Sequence, residues 1–261
     1  MTFGARGPRR RRSLRIARSL AATVAVLGSI ALVGVLVNTL EKSGHSRPAT
    51  TTAAPVVRVR KRPLARVLVV RATRAGALSQ PLQDAGGAAG SAAGTSAALL
   101  GGLSAADLST SSIRVADATG ERTTGRVPVA IHDAAAAFVG GADYLFGGGD
   151  GVAQHAEIYR VNASSGVATH VADLPAASSD QSGTAVGGTA YIVGGYTGSR
   201  WLDTIVAFRP PRSVRVVAHL PAPVRYAAVT AVGGDVIIAG GSLEDGSASR
   251  EIYRYRMLIR V

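Results

Sequence analysis

Short apolar runs separated by pairs of glycines recur through the second half of the chain. Residues 184–195, TAVGGTAYIVGG, hold an apolar run, two glycines, a second apolar run and two more glycines. Runs of this length that end at glycine turns are typical of β-strands joined by hairpins. Glycine suits these turns because it adopts positive φ without steric cost. The pattern predicts an all-β fold here.

The glycine pairs come in two sets, and successive pairs are 47 and 46 residues apart in both sets. They are Gly140-Gly141, Gly187-Gly188 and Gly233-Gly234, then Gly147-Gly148, Gly194-Gly195 and Gly240-Gly241. A period of this size, built from short strands, is typical of β-propeller blades. We predict four units of four antiparallel strands, at 78–126, 127–173, 174–219 and 220–261.

The two ends of the repeat region depart from this pattern. In the first unit the segment GGAAGSAAGTS, residues 86–96, stands where the usual strand and hairpin turn are expected. The last unit stops inside its expected fourth strand. Upstream, residues 64–72, LARVLVVRA, have a strand-like composition. We expect this segment to pair with the last unit and cover an otherwise open sheet edge.

The repeats resemble the kelch family of β-propellers. The resemblance rests on paired glycines after a strand, as in YIVGG at 191–195, on the tyrosine of EIYRV at 157–161, and on the turn NASSG at 162–166. It covers residues 78–261 and implies a kelch-type propeller of about four four-stranded blades. Kelch propellers usually have six or seven blades and a tryptophan in each, whereas this chain has only Trp201.

The first part of the chain has a different character. Residues 6–18 carry seven arginines and no acid, and residues 20–37 form an uncharged apolar run. Such a run is long enough for a membrane-spanning helix, and basic flanks stay in the cytoplasm. We therefore predict one N-terminal transmembrane helix before the propeller. The segments are a basic cytoplasmic tail at 1–19, a transmembrane signal anchor at 20–40, a flexible linker at 41–63, and an extracytoplasmic propeller at 64–261.

The net charge of +13 divides unevenly along the chain. Residues 1–77 carry a net charge of +15 and residues 78–261 a net charge of −2. Because the repeats are nearly neutral, the basic balance gives no reason to expect nucleic acid as a partner. The chain has no cysteine, so no disulfide stabilises the repeats. We find no catalytic or cofactor-binding motif and predict neither a cofactor nor a metal.

Aspartate occupies one repeat position in three units, as Asp84, Asp133 and Asp180, with Tyr226 in the fourth. Equivalent positions in successive blades surround a propeller axis, so these side chains are candidates to bind a cation or a polar ligand at the channel mouth. The alternative is structural: each side chain would hydrogen-bond the backbone of its neighbour and position the start of a strand.

A second candidate set lies in the loop after Gly194-Gly195, where Tyr196, Arg200 and Trp201 occur together. These residue types are common interface anchors, although a loop tryptophan can also cover a blade edge. We therefore predict a membrane-anchored binding or interaction module for a protein or glycan ligand. Two alternatives stay open: a propeller enzyme acting on carbohydrate-like substrates, and a shortened propeller that works only as a homo-oligomer.

Overall fold

In the computed structural model, residue 74 and residues 76–256 are described, and they form fifteen β-strands and their connections. The predicted tail, anchor and linker, together with the segment at 64–72, lie outside these residues. Within the described part, no helix is both long and apolar enough to cross a bilayer. The prediction of an all-β repeat region is confirmed.

The strands form four antiparallel sheets, and each sheet is built from strands consecutive in the sequence. The first sheet contains β1 (Gly86–Ala88), β2 (Ser96–Leu100), β3 (Thr110–Asp117) and β4 (Gly120–Ile131). The second contains β5 (Ala135–Val139), β6 (Ala142–Gly149), β7 (Gln154–Asn162) and β8 (Val167–Asp173). The third contains β9 (Ser182–Val186), β10 (Thr189–Val193), β11 (Thr204–Arg209) and β12 (Ser213–His219). The fourth contains β13 (Ala228–Val232), β14 (Asp235–Ala239) and β15 (Ile252–Arg256).

The glycine pairs make the turns that the sequence predicts. Gly187 and Gly188 have φ of 58° and 75° and join β9 to β10, where Thr189 pairs with Val186. The turn predicted at 162–166 is also present, because the Gly166 N–H donates to the Asn162 carbonyl. The first three units each contain a β-hairpin followed by two antiparallel strands, as expected, and the described part of the fourth contains a hairpin followed by one.

The expected loss of a strand and hairpin in the first unit is wrong. Residues 86–88 form the short strand β1, which pairs with β2 through partners such as Ala88 and Ala98. The small residues allow close packing: a Cβ on Gly86 would lie 2.8 Å from the Leu145 side chain and 3.2 Å from Ala136. Glycine here therefore brings the first sheet into contact with the second.

The units differ at their outer strands. In the third sheet, Leu220-Pro221 follows the last strand, whereas Val127 and Pro128 lie inside β4. Among the described residues the fourth sheet has three strands, so its outer strand β15 has one unpaired edge. The pairing expected between this edge and residues 64–72 falls outside the described part of the chain.

Three apolar clusters join the four sheets face to face. The first lies between sheets one and two and contains Leu100, Ile113 and Leu145. The second lies between sheets two and three, and the third between sheets three and four. In the second cluster the rings of Phe146 and Phe208 meet edge to face, with centroids 5.5 Å apart. The middle two sheets are thus covered on both faces.

The sheets also meet along their first strands. β1 contacts β5, β5 contacts β9, and β9 contacts β13. Within the described residues the last sheet packs on one face, and β13 and β15 alternate between exposed and partly buried residues. The first strands therefore form a continuous row that runs through all four units.

A leucine at one repeat position provides a test of this packing. Leu220 is 7% exposed and its N–H donates to the Asp203 carbonyl, whereas Leu78, at the same position in the first unit, is 38% exposed. Leu220→Ala should lower the free energy of unfolding by about 2 to 5 kcal/mol, and Leu78→Ala by less than about 0.5 kcal/mol. Urea denaturation measures both, and equal losses would contradict the packing described.

Candidate functional site

The four aligned residues lie side by side at the start of the first strands. The N–H of Asp133 donates to the Asp84 carbonyl at 2.9 Å, that of Asp180 to the Asp133 carbonyl at 2.9 Å, and that of Tyr226 to the Asp180 carbonyl at 3.0 Å. This ladder of backbone bonds links successive units and brings the predicted residues together. The structural alternative predicted that each side chain bonds the backbone of its neighbour. The bonds that link neighbouring aligned residues are instead made between backbone groups.

All four residues adopt the left-handed backbone conformation, with φ between 52° and 61°. Aspartate tolerates this conformation better than most residues do, which helps to explain its recurrence at this position. Tyrosine does so less readily, and Tyr226 is the one member of the set with a large aromatic side chain. Because the conformation is the same in all four units, the backbone enters the first strand of each unit in the same way.

A pocket of about 360 Å³ lies over this ladder. Its wall contains the four aligned residues and the first residues of the strands that follow them, such as Gly86, Ala135 and Gly183. Most of the strand residues in this wall are glycine, alanine or serine. The carboxyl groups and the tyrosine hydroxyl supply its polar chemistry.

The carboxyl groups of Asp133 and Asp180 are electrostatically coupled. Burial raises the pKa of Asp133 to about 7, and the negative charges of Asp180 and Asp84 and a hydrogen bond with Asp180 act in the same direction. The positive charge of Arg225 acts in the opposite direction. Asp133 thus retains a proton at pH values where an ordinary aspartate has lost it, and it can donate a hydrogen bond.

Arg225 joins the two predicted sets of residues into one site. Its guanidinium forms an ion pair with the buried carboxylate of Asp180. The guanidinium carbon also lies 4.6 Å from the ring centre of Tyr196, 4.9 Å from that of Trp201 and 5.2 Å from that of Tyr226. These distances are within the range of cation–π attraction. The loop aromatics therefore hold the arginine beside the carboxyl groups.

Tyr226 is one of the four aligned residues and also contacts Arg225. Its hydroxyl accepts a hydrogen bond from Arg225 at 3.3 Å. Burial raises its pKa to about 12, and the charges of Asp180 and Asp133 add to this effect. The hydroxyl therefore stays protonated near neutral pH and can act as a donor to a ligand.

Arg200, the remaining predicted site residue, lies apart from this cluster. It borders a different pocket of about 120 Å³, together with Leu174, Pro175 and Leu202. Its carbonyl accepts a bond from the Thr197 N–H, which closes the tip of the loop. The structure thus unites six of the seven predicted residues and separates the seventh.

Sequence reasoning missed Arg225 and His132, which precede the aligned position in their units. His132 Nε2 lies 3.8 Å from the Asp133 carboxylate, and Nδ1 lies 2.9 Å from the Ser109 hydroxyl. The same position is bridged in each unit to the residues after the second glycine pair, as in Arg225 with Ser242. The available signal was a basic or imidazole side chain directly before the aligned position, as in Arg225-Tyr226 and His132-Asp133.

Three further histidines, His155, His170 and His219, do not gather at one place. His155 lies 3.1 Å from Asp150, His170 lies 2.9 Å from Asp173, and His219 lies 3.0 Å from Asp203. Over residues 76–256, no group of three or more histidine or acidic side chains has an arrangement suited to a metal ion.

A comparison with protein-family models finds no match to this chain, and a comparison with curated proteins finds none either.

The raised pKa of Asp133 predicts a specific pH dependence of stability. Between the unfolded pKa, about 3.9, and the folded value near 7, the native state binds more protons than the unfolded state. The stability of the wild type relative to Asp133→Asn should therefore fall across this window and become constant above it. Urea unfolding of both proteins from pH 4 to 8 measures the difference, and a constant difference would refute the assignment.

Proposed function

We propose that the chain is a membrane-anchored, extracytoplasmic, kelch-like β-propeller that acts as a binding module for a glycan or a similar polyhydroxylated ligand. The four antiparallel sheets, joined face to face in chain order with their first strands adjacent, support the propeller architecture. The observation that carries the function is the 360 Å³ pocket over the ladder of aligned residues.

The charge of the site favours a neutral ligand over a cation. Asp180 is compensated by Arg225, and Asp133 holds a proton up to about pH 7. Asp84 then contributes the main uncompensated negative charge of the aligned set. A divalent cation prefers several ionised oxygen ligands, whereas a polyol can use mixed donors and acceptors.

The hydrogen-bonding capacity of the pocket fits hydroxyl groups. The Tyr226 hydroxyl can donate and accept, and the Asp84 carboxylate is an acceptor, while the single proton of Asp133 is shared with Asp180. The exposed ring of Tyr226, 52% accessible, offers a flat apolar surface beside these groups. A sugar ring presents the complementary combination of hydroxyl edges and an apolar face.

The coupled carboxyl groups do not match the usual geometry of a glycoside hydrolase. Such enzymes place two carboxyl groups about 5 to 9.5 Å apart on either side of the bond that breaks. Asp133 instead shares a hydrogen bond with Asp180, which also raises the pKa of Asp133. The arrangement therefore supports binding over hydrolysis at this pair.

Glycan binding can be tested on an array of neutral glycans with the labelled full-length protein, in a non-ionic detergent that has no sugar head group. We expect the wild type to bind a subset of these glycans. Asp84→Asn and Asp180→Asn should weaken that binding about 10- to 100-fold, because each removes a charged hydrogen-bonding group. Asparagine also tolerates the left-handed conformation, so the backbone is retained.

Asp173→Asn is the matched control, since Asp173 is an exposed carboxylate at the end of the outer strand β8. This variant should bind glycans as the wild type does. The proposal would be abandoned if no neutral glycan bound, or if both site variants kept full affinity.

The membrane anchor is proposed from residues 6–37, where an arginine-rich segment precedes an apolar run of membrane-spanning length. The full-length protein should remain in the membrane pellet after an alkaline carbonate wash. Deletion of residues 20–37 should release it to the supernatant, while deletion of the polar stretch 43–57 should not. Release of the intact chain by carbonate alone would overturn the anchor.

A further inference from the structure

A second cavity lies at the opposite ends of the first strands, away from the aligned aspartates. It has a volume of about 210 Å³ and is bordered by the hairpin of the first sheet and the turns of the second. Asp133 leads into β5, whereas this cavity adjoins Gly141 and Ala142, which follow the end of that strand. The two sites are therefore distinct.

Asp143 is an unusual residue in the wall of this cavity. It lies two positions after its glycine pair, and the equivalent residues of the next two units are Ala190 and Val236, both buried in the cores between sheets. Asp143 itself is 2% exposed. The fold therefore accepts an apolar side chain at this position, and a carboxyl group here is not a requirement of the repeat.

The carboxyl group of Asp143 is only partly satisfied. Its Oδ1 accepts a hydrogen bond from the Gly90 N–H at 3.1 Å, while Oδ2, which is not among the fully enclosed polar atoms, has no hydrogen bond to the described residues. Burial raises the pKa of this group, and the Gly90 bond opposes that shift. A buried carboxylate is costly unless several donors satisfy it, so this arrangement is suited to a partner that brings N–H groups.

The cavity exists because the first sheet is built from small residues. Gly90, Ser91 and Ala92 border it from the hairpin of that sheet, while Phe138 and Ala163 add apolar surface from the second. Among the described residues on its border, Arg160 is the one basic residue, and it pairs with Tyr144 in the β6–β7 register. Asp143 pairs with Val161, so the two charged side chains belong to opposite faces of the sheet.

We propose that this cavity is a binding site for an alkylammonium group, whose N–H donors engage the Asp143 carboxylate while its carbon chain lies along the apolar wall. A volume of 210 Å³ accommodates a short amine or the end of a lysine-like side chain. The carboxylate supplies charge-assisted hydrogen bonds, and the small-residue hairpin supplies access. This site is independent of the glycan site proposed above.

The test is a titration of the full-length, ¹⁵N-labelled protein with n-butylammonium chloride at pH 8, in a non-ionic detergent. The Gly90 amide is the reporter, because it donates directly to Asp143. We expect a saturable shift of this resonance with a dissociation constant on the order of millimolar, as befits a ligand of a few atoms. n-Butanol, which has the same chain without the charge, should produce no such shift.

Asp143→Asn is the decisive variant, because asparagine keeps an acceptor for the Gly90 N–H and removes the charge. It should bind n-butylammonium at least tenfold more weakly than the wild type. If this variant does not fold, Asp143→Ala, which reproduces the residue of the third unit, takes its place. Equal binding by the variant, equal shifts with n-butanol, or no saturable shift in the wild type would each overturn the proposal.

Discussion

Face-to-face packing of apolar sheets is the interaction on which the described structure depends. A strand gains stability mainly when both its hydrogen bonds and its side chains have partners, and the sheets here are short. Sheets two and three are covered on both faces, and aromatic rings such as Phe146 and Phe208 fill the space between them. Without its neighbours, no single sheet would bury enough apolar surface to stay folded.

This packing also creates the candidate ligand site. Because the sheets meet along their first strands, one position of the repeat is brought together four times. The negative charges of Asp180 and Asp84, which are far from Asp133 in the sequence, then raise the pKa of Asp133. The repeat geometry therefore brings the polar groups of the pocket together. The loop with Tyr196 and Trp201 holds Arg225 at one side of the pocket, so the pocket is not symmetric.

Two residues that differ from their equivalents in the other units change the functional groups of the two candidate pockets. Tyr226 replaces an aspartate at the aligned position, and Asp143 replaces an apolar residue in the core. Both substitutions keep the backbone path while changing what a ligand would meet. The glycine- and alanine-rich hairpin of the first unit acts similarly, since its small residues allow close sheet packing at Gly86 and leave a cavity near Gly90.

The sequence alone determined the repeat, the hairpins at the glycine pairs and the aligned residues Asp84, Asp133 and Asp180, because strand periodicity and turn conformation are local properties. It could not identify Arg225 as the residue that joins these aspartates to Tyr196 and Trp201, nor assign Arg200 to a separate pocket. It also failed to predict strand β1 in the first unit, where Gly86 lies in a strand although glycine is depleted in strands. Those outcomes depend on contacts between residues distant in the chain, and only the tertiary structure decides them.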